Sequence, residues 1–153
     1  MSSLNAFLVA VEMAERKRDQ ARQALQDVKQ ARQAAQEQLN QLENYAQETQ
    51  NRWGMRANAT VQPQVMFHHY QFMDRLSHAI GLQTGVVGDH SLRVENATRV
   101  LLETELRLAA LKKVVEKRRR DLEALQMRRD QKQTDERAAQ QLHQTRNAAA
   151  EEY

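Results

Sequence analysis

A chain of 153 residues with four glycines and one proline has too few turn formers for a sheet-rich or loop-built enzyme core. It contains no cysteine, so disulfides and thiolate metal sites are excluded. Its net charge of +3 is too small to argue for nucleic acid by itself.

The first periodic segment begins near Ser2 or Ser3, either of which suits a helix N-cap. The apolar run Leu4 to Ala14 includes Asn5 and Glu12 and lacks a basic leader, so it does not read as a signal peptide. One seven-residue column reads Phe7, Ala14, Ala21, Val28, Ala35, Leu42, Thr49. A second reads Ala10, Lys17, Ala24, Ala31, Gln38, Tyr45, and a flanking one holds Leu4, Val11, Leu25 and Leu39. The spacing predicts an amphipathic helix over about 3–56 with a small, alanine-rich seam.

Gly54, Asn58, Thr60 and Pro63 interrupt this pattern. They are the only cluster of breakers between two long periodic stretches, which predicts a bend over about 57–62. Pro63 suits the first turn of a second helix, where its missing N–H would have had no intrahelical partner.

The second helix is expected over about 63–145. From Met66, every seventh residue is apolar: Met73, Ile80, Val87, Val94, Leu101, Leu108, Val115 and Leu122 follow in one unbroken column. The companion column (His69, Leu76, Gln83, His90, Ala97, Thr104, Leu111, Arg118, Leu125) is weaker. Such a pair of columns is the mark of a helix packed along a narrow stripe. Eight heptads without a phase slip span roughly 90 Å at 1.5 Å per residue, which no compact core matches.

A short connection between long amphipathic helices makes them antiparallel neighbours. The expected fold is therefore all-α: a single coiled-coil hairpin over 1–153, its second helix longer than its first. A bend centred near residue 60 sets Phe7 near Val115, Ala14 near Leu108, Ala21 near Leu101 and Tyr45 near Leu76. Residues after about Arg119 then have no partner in the hairpin. Charge gathers there, with eleven basic against six acidic residues from Lys112 to Arg146. That stretch reads as a solvated helix or tail, or as a helix ordered inside an acidic or polar partner.

Gly81, Gly85 and Gly88 fall inside the second helix, on the side away from the seam. They mark either a local break, restarted by Asp89 or Ser91, or a bare outer face.

Candidate chemistry is sparse. Ser77 and His78 are adjacent on a helix and point apart, and the carboxylates lie at solvent-face positions. Among His68, His69, His78, His90 and His143, no pair has i, i+4 spacing with a third ligand at hand, so no metal or other cofactor is expected. Nothing approaches a membrane span. The aromatic residues say more. Tyr45, Trp53, Phe67, Tyr70 and Phe72, five of the seven in the chain, lie on the limbs beside the bend. Phe72, Leu76 and Ala79 form an apolar face next to the seam residue Met73. That face reads either as packing that holds the bend or as a surface that meets a partner.

The strings Gln36-Glu37-Gln38-Leu39 with Leu42 and Tyr45, Tyr70-Gln71-Phe72 with Leu76, Ala79-Ile80 and Gln83, and Asp130-Gln131-Lys132 with Asp135-Glu136 are similar to the FliJ family. The resemblance runs over nearly the whole length, including the bend and the longer second helix. It implies a non-enzymatic, cytoplasmic stalk of flagellar type III protein export, acting at the cytoplasmic face of the inner membrane. The implied partners are the hexameric export ATPase (FliI-like), the cytoplasmic domain of the export gate (FlhA-like) and export chaperones, with no nucleic acid. The gate-binding positions it implies are Gln38, Leu42, Tyr45, Phe72, Leu76 and Ala79. Thr49 and Gln83 depart from the aromatic and histidine residues of the family pattern, at the edges of that patch. Gln38, Leu42 and Tyr45 also fall in the seam by heptad count. Either the seam opens near the tip, or it shifts by one column toward Leu39 and Ala46. The alternatives are a stalk or chaperone of a virulence secretion system, and a basic helical protein that binds nucleic acid.

Overall fold

The computed structural model describes residues 2–56 and 62–152, so the expected bend at 57–62 lies almost wholly outside the described residues. Two helices account for the described chain: α1, Ser2–Arg56, and α2, Pro63–Glu151. Together they form an all-α antiparallel hairpin whose second helix is the longer, as the two periodic segments predict. Pro63 opens α2, and the N–H groups of Val65 and Met66 donate to the Gln62 carbonyl at 3.1 and 3.2 Å. The proline thus occupies the one turn where a missing N–H costs nothing. The expected end near 145 is passed, and α2 continues to Glu151.

The helix pair divides into two compact units, Arg16–Leu106 and Met1–Glu15 with Arg107–Tyr153. In the first, the core is Ala21, Ala35, Leu39, Leu76 and Val94; in the second it is Ala14, Leu108 and Val115. Small residues of α1 thus complement larger residues of α2, which lets the backbones approach closely. In unit Arg16–Leu106, Tyr45 meets Phe72, Gln83 reaches Ala35, and Arg22 pairs with Glu105. In the terminal unit, Glu15 pairs with Lys112, and Arg118 lies over the Phe7 ring with 5.0 Å to its centroid.

One phase assignment is corrected. The sequence reading gave α1 a second seam column of Ala10, Lys17, Ala24, Ala31, Gln38 and Tyr45. Lys17, Ala24, Gln38 and Tyr45 are exposed, whereas Leu4, Val11, Leu25, Leu39 and Ala46 are buried or half-buried. The inner columns of α1 are therefore Phe7 through Thr49 and Leu4 through Trp53. Arg18, half-buried, and Arg32, exposed, interrupt the latter column.

The α2 seam follows its predicted columns from His69 to Val115 and then ends. Beyond Val115, every residue from Glu116 to Glu152 is exposed. No described helix is long and apolar enough to cross a membrane.

The glycines do not break α2. The helix is continuous through Gly81, Gly85 and Gly88, and a Cβ at any of the three would meet nothing within 4 Å. None has positive φ. Their backbone is ordinary helix, and they leave part of the outer surface bare.

Candidate partner-binding tip

The bend end of the hairpin carries the largest exposed groups. Trp53 stacks flat on His69 with ring centroids 4.0 Å apart, which gives this histidine a packing role. Tyr45 and Phe72 meet edge to face at 5.9 Å and 85°, joining α1 to α2. Such a pair is worth about 0.5–1.5 kcal/mol beyond its buried area. Both rings nevertheless remain open, Tyr45 at 51% and Phe72 at 40% exposure, and Phe67 and Tyr70 are more open still. Exposed aromatic groups fixed by a partner ring are preorganised for contact, because little rotamer freedom remains to be lost on binding.

The six positions given by the family resemblance fall into two layers. Gln38, Tyr45 and Phe72 are exposed and Ala79 is half-buried, and these four share one flank of the helix pair. Leu42 and Leu76 lie beneath, in the seam columns. Leu76 is only 7% exposed, so the expectation that it belongs to an open apolar face is corrected: it is core. The conflict over Gln38, Leu42 and Tyr45 resolves through the column shift. Leu39 and Ala46 take the inner positions, Leu42 stays in the seam, and Gln38 and Tyr45 turn outward.

A polar clamp also lies here, unforeseen from the sequence. Gln83 Nε2 donates to the Ala35 carbonyl at 2.9 Å and to Gln38 Oε1 at 3.2 Å. Gln83 occupies a seam column and Gln38 the exposed flank, so the amide joins core to surface. The signal available in the sequence was a lone glutamine in an otherwise largely apolar stripe. Seven residues on, His90 leaves its buried Nδ1 without a hydrogen-bond partner among the described residues. The described residues include no group of three or more His, Cys, Asp or Glu side chains placed to hold a metal ion.

The cross-helix ion pairs occupy the other flank. Arg22 and Glu105 approach to 3.8 Å in one unit, and Lys112 and Glu15 to 4.0 Å in the other. All four side chains are more than two-fifths exposed, so each pair contributes little to stability. Their effect is on which helix faces meet.

Long paired helices, a seam of small against large residues and an open aromatic tip define a coiled-coil hairpin. The family model described as flagellar FliJ protein matches residues 4–147, and the chain belongs to that family. It is thereby a member of a non-catalytic family of flagellar protein export. Comparison with the curated proteins and with the solved structures returned no match.

Proposed function

We propose that this chain is the stalk that couples the export ATPase to the export gate, working in the cytoplasm at the inner face of the membrane and taking part in export-chaperone handling. In this reading the α2 extension enters the ATPase ring. The observation that carries it is the run of exposed residues from Glu116 to Glu152, a helix that continues beyond Arg118, the residue set over the Phe7 ring of α1. An isolated helix of this kind gains much by insertion into a channel, because exposed apolar groups such as Leu122, Leu125 and Met127 have no other cover.

The gate is assigned to the tip. Tyr45 and Phe72 are the anchors, Gln38 and Ala79 extend the contact, and Leu42 and Leu76 hold its floor. Large, rigid aromatic side chains in a shallow patch carry most of the energy of protein interfaces. No residue is assigned a catalytic role.

The test is a binding assay with the export ATPase of the same organism, reading ATP turnover and ring formation together. Stimulated turnover with hexamer assembly, lost on truncation after Arg119, is the expected result. The described residues that the truncation removes are all exposed, so the helix pair should remain intact as a control. Absence of both binding and stimulation would overturn the ring-inserted stalk.

A further inference from the structure

The two helices of unit Arg16–Leu106 are unequally built at one level. On α2, the buried residues Leu76 and Val94 lie roughly five turns apart, and nothing between them is buried. Its inner positions there are Ile80, Gln83, Val87 and His90, all half-buried. Gln83 donates its amide to the Ala35 carbonyl, and His90 leaves a buried Nδ1 without a partner among the described residues. Apolar packing therefore holds this stretch of α2 least.

The backbone is weakest at the same place. Residues 81–90 hold Gly81, Gly85 and Gly88, the β-branched Thr84, Val86 and Val87, and then Asp89 and His90. All eight rank low as helix formers. Thr84 also turns its hydroxyl back onto the Ile80 carbonyl at 2.8 Å, a contact that loosens and bends helices. The opposite helix is the reverse. The Gln83 bonds to Ala35 and Gln38 set this level against about residues 28–39 of α1. That stretch has no glycine, and Val28 is its one β-branched residue. Ala, Gln, Lys, Arg, Glu and Leu fill the rest, all strong helix formers. Gln33 with Glu37 and Gln36 with Asn40 brace it at i, i+4, at 3.2 and 3.0 Å.

We propose that residues 81–90 of α2 are a hinge, opening as a local unit while α1 opposite stays helical and straps the two sides together. Local opening selects the segment with the fewest buried apolar contacts and the weakest backbone, and here the two coincide. In the closed form α2 is continuous, and the three glycines face open space, so nothing outside the helix braces them. Opening lets the aromatic end at Tyr45 and Phe72 change direction relative to the seam around Ala21 and Val94. Both packed parts stay intact. The hinge belongs to the free chain, so it stands whether or not the ATPase assay succeeds.

The test is hydrogen exchange of the full chain, read residue by residue by NMR and corrected for intrinsic rates. Amides of 82–92 are expected to exchange at least tenfold faster than those of 73–79 and 95–104 on α2. They should also exchange at least tenfold faster than those of 29–39 on α1. The triple variant Gly81→Ala, Gly85→Ala, Gly88→Ala should slow the segment at least tenfold. Each alanine enters open space, so this variant keeps the fold. Bending is read separately. The chain has no cysteine, so Gln71→Cys and Glu103→Cys, both exposed, take a specific spin-label pair. Straight helix sets the labelled positions roughly 48 Å apart along α2. The hinge adds a shorter, broader population of distances, which the triple variant removes. Uniform protection along α2, equally fast exchange in α1, no effect of the triple variant, or a single narrow distance would overturn the proposal.

Discussion

Gln83 of α2 and Gln38 of α1 are joined across the helix pair, amide to amide at 3.2 Å, while the same Gln83 nitrogen also donates to the Ala35 carbonyl. The two ends of this link have unequal weight. Gln83 is half-buried and its nitrogen serves both acceptors, whereas Gln38 is exposed and has water as a substitute partner. Gln38→Ala should therefore change stability by less than about 0.5 kcal/mol, and Gln83→Ala should cost about 1–2 kcal/mol. Urea titrations of the two variants, followed by helicity, make the comparison. Equal losses would show that the amide pair, not the carbonyl bond, holds the helices in register.

Leu76 and Phe72 are one turn apart and should respond in opposite ways. Truncating a side chain that is 7% exposed leaves a cavity in the seam, and Leu76→Ala should cost about 2–3 kcal/mol of stability. Phe72→Ala loses one edge-to-face contact from a ring already 40% exposed, about 1 kcal/mol. Binding to the purified cytoplasmic domain of the export gate should fall at least tenfold for Phe72→Ala at a temperature where helicity is unchanged. Unchanged binding would remove Phe72 from the gate contact.

The glycines of α2 offer a gain of stability. Each lies in continuous helix with open space where a Cβ would go, so alanine adds no clash. Gly81→Ala, Gly85→Ala and Gly88→Ala should each stabilise by about 0.5–1 kcal/mol. The three combined should raise the melting temperature by several degrees. A neutral or negative result from the triple variant would mean that the free chain does not keep this stretch helical.

His90 supplies the converse case, a buried polar atom with no partner among the described residues. Leucine at this seam position removes the unpaired nitrogen and adds apolar contact. His90→Leu should stabilise by about 1–2 kcal/mol in thermal melts. A loss of stability would show that the ring makes a water-mediated bond worth keeping.

The architecture was largely legible because α2 repeats without a slip: nine apolar residues at sevenfold spacing leave one face to bury. The α1 phase was harder. Its buried column is broken by Arg18 and Arg32, while the competing column offers Ala10, Ala24 and Ala31. Alanine is equally at home in a tight seam and on a helix surface, so it cannot vote. Arg18 is accommodated because its stem packs inward while its guanidinium reaches Asp19 at 3.0 Å. At the tip, the aromatic concentration was visible but not its layering. Leu76 belongs both to the seam column and to the row after Phe72, and only the packing decides between them. The Gln83 clamp depends on a side chain crossing to a carbonyl 48 residues away, which no local pattern records.

The unpartnered end of α2 bears on how long the chain survives. A lone helix opens its backbone turn by turn without disturbing anything packed against it, so cleavage there needs no global unfolding. Arg120, Arg128, Arg129 and Arg137 stand exposed in that stretch, each a point of attack for a trypsin-like protease. The paired helices are shielded by contrast, because their turns open only when the seam does. If the extension is covered as proposed, these sites should be protected, and a chain left uncovered should be trimmed back to its paired helices.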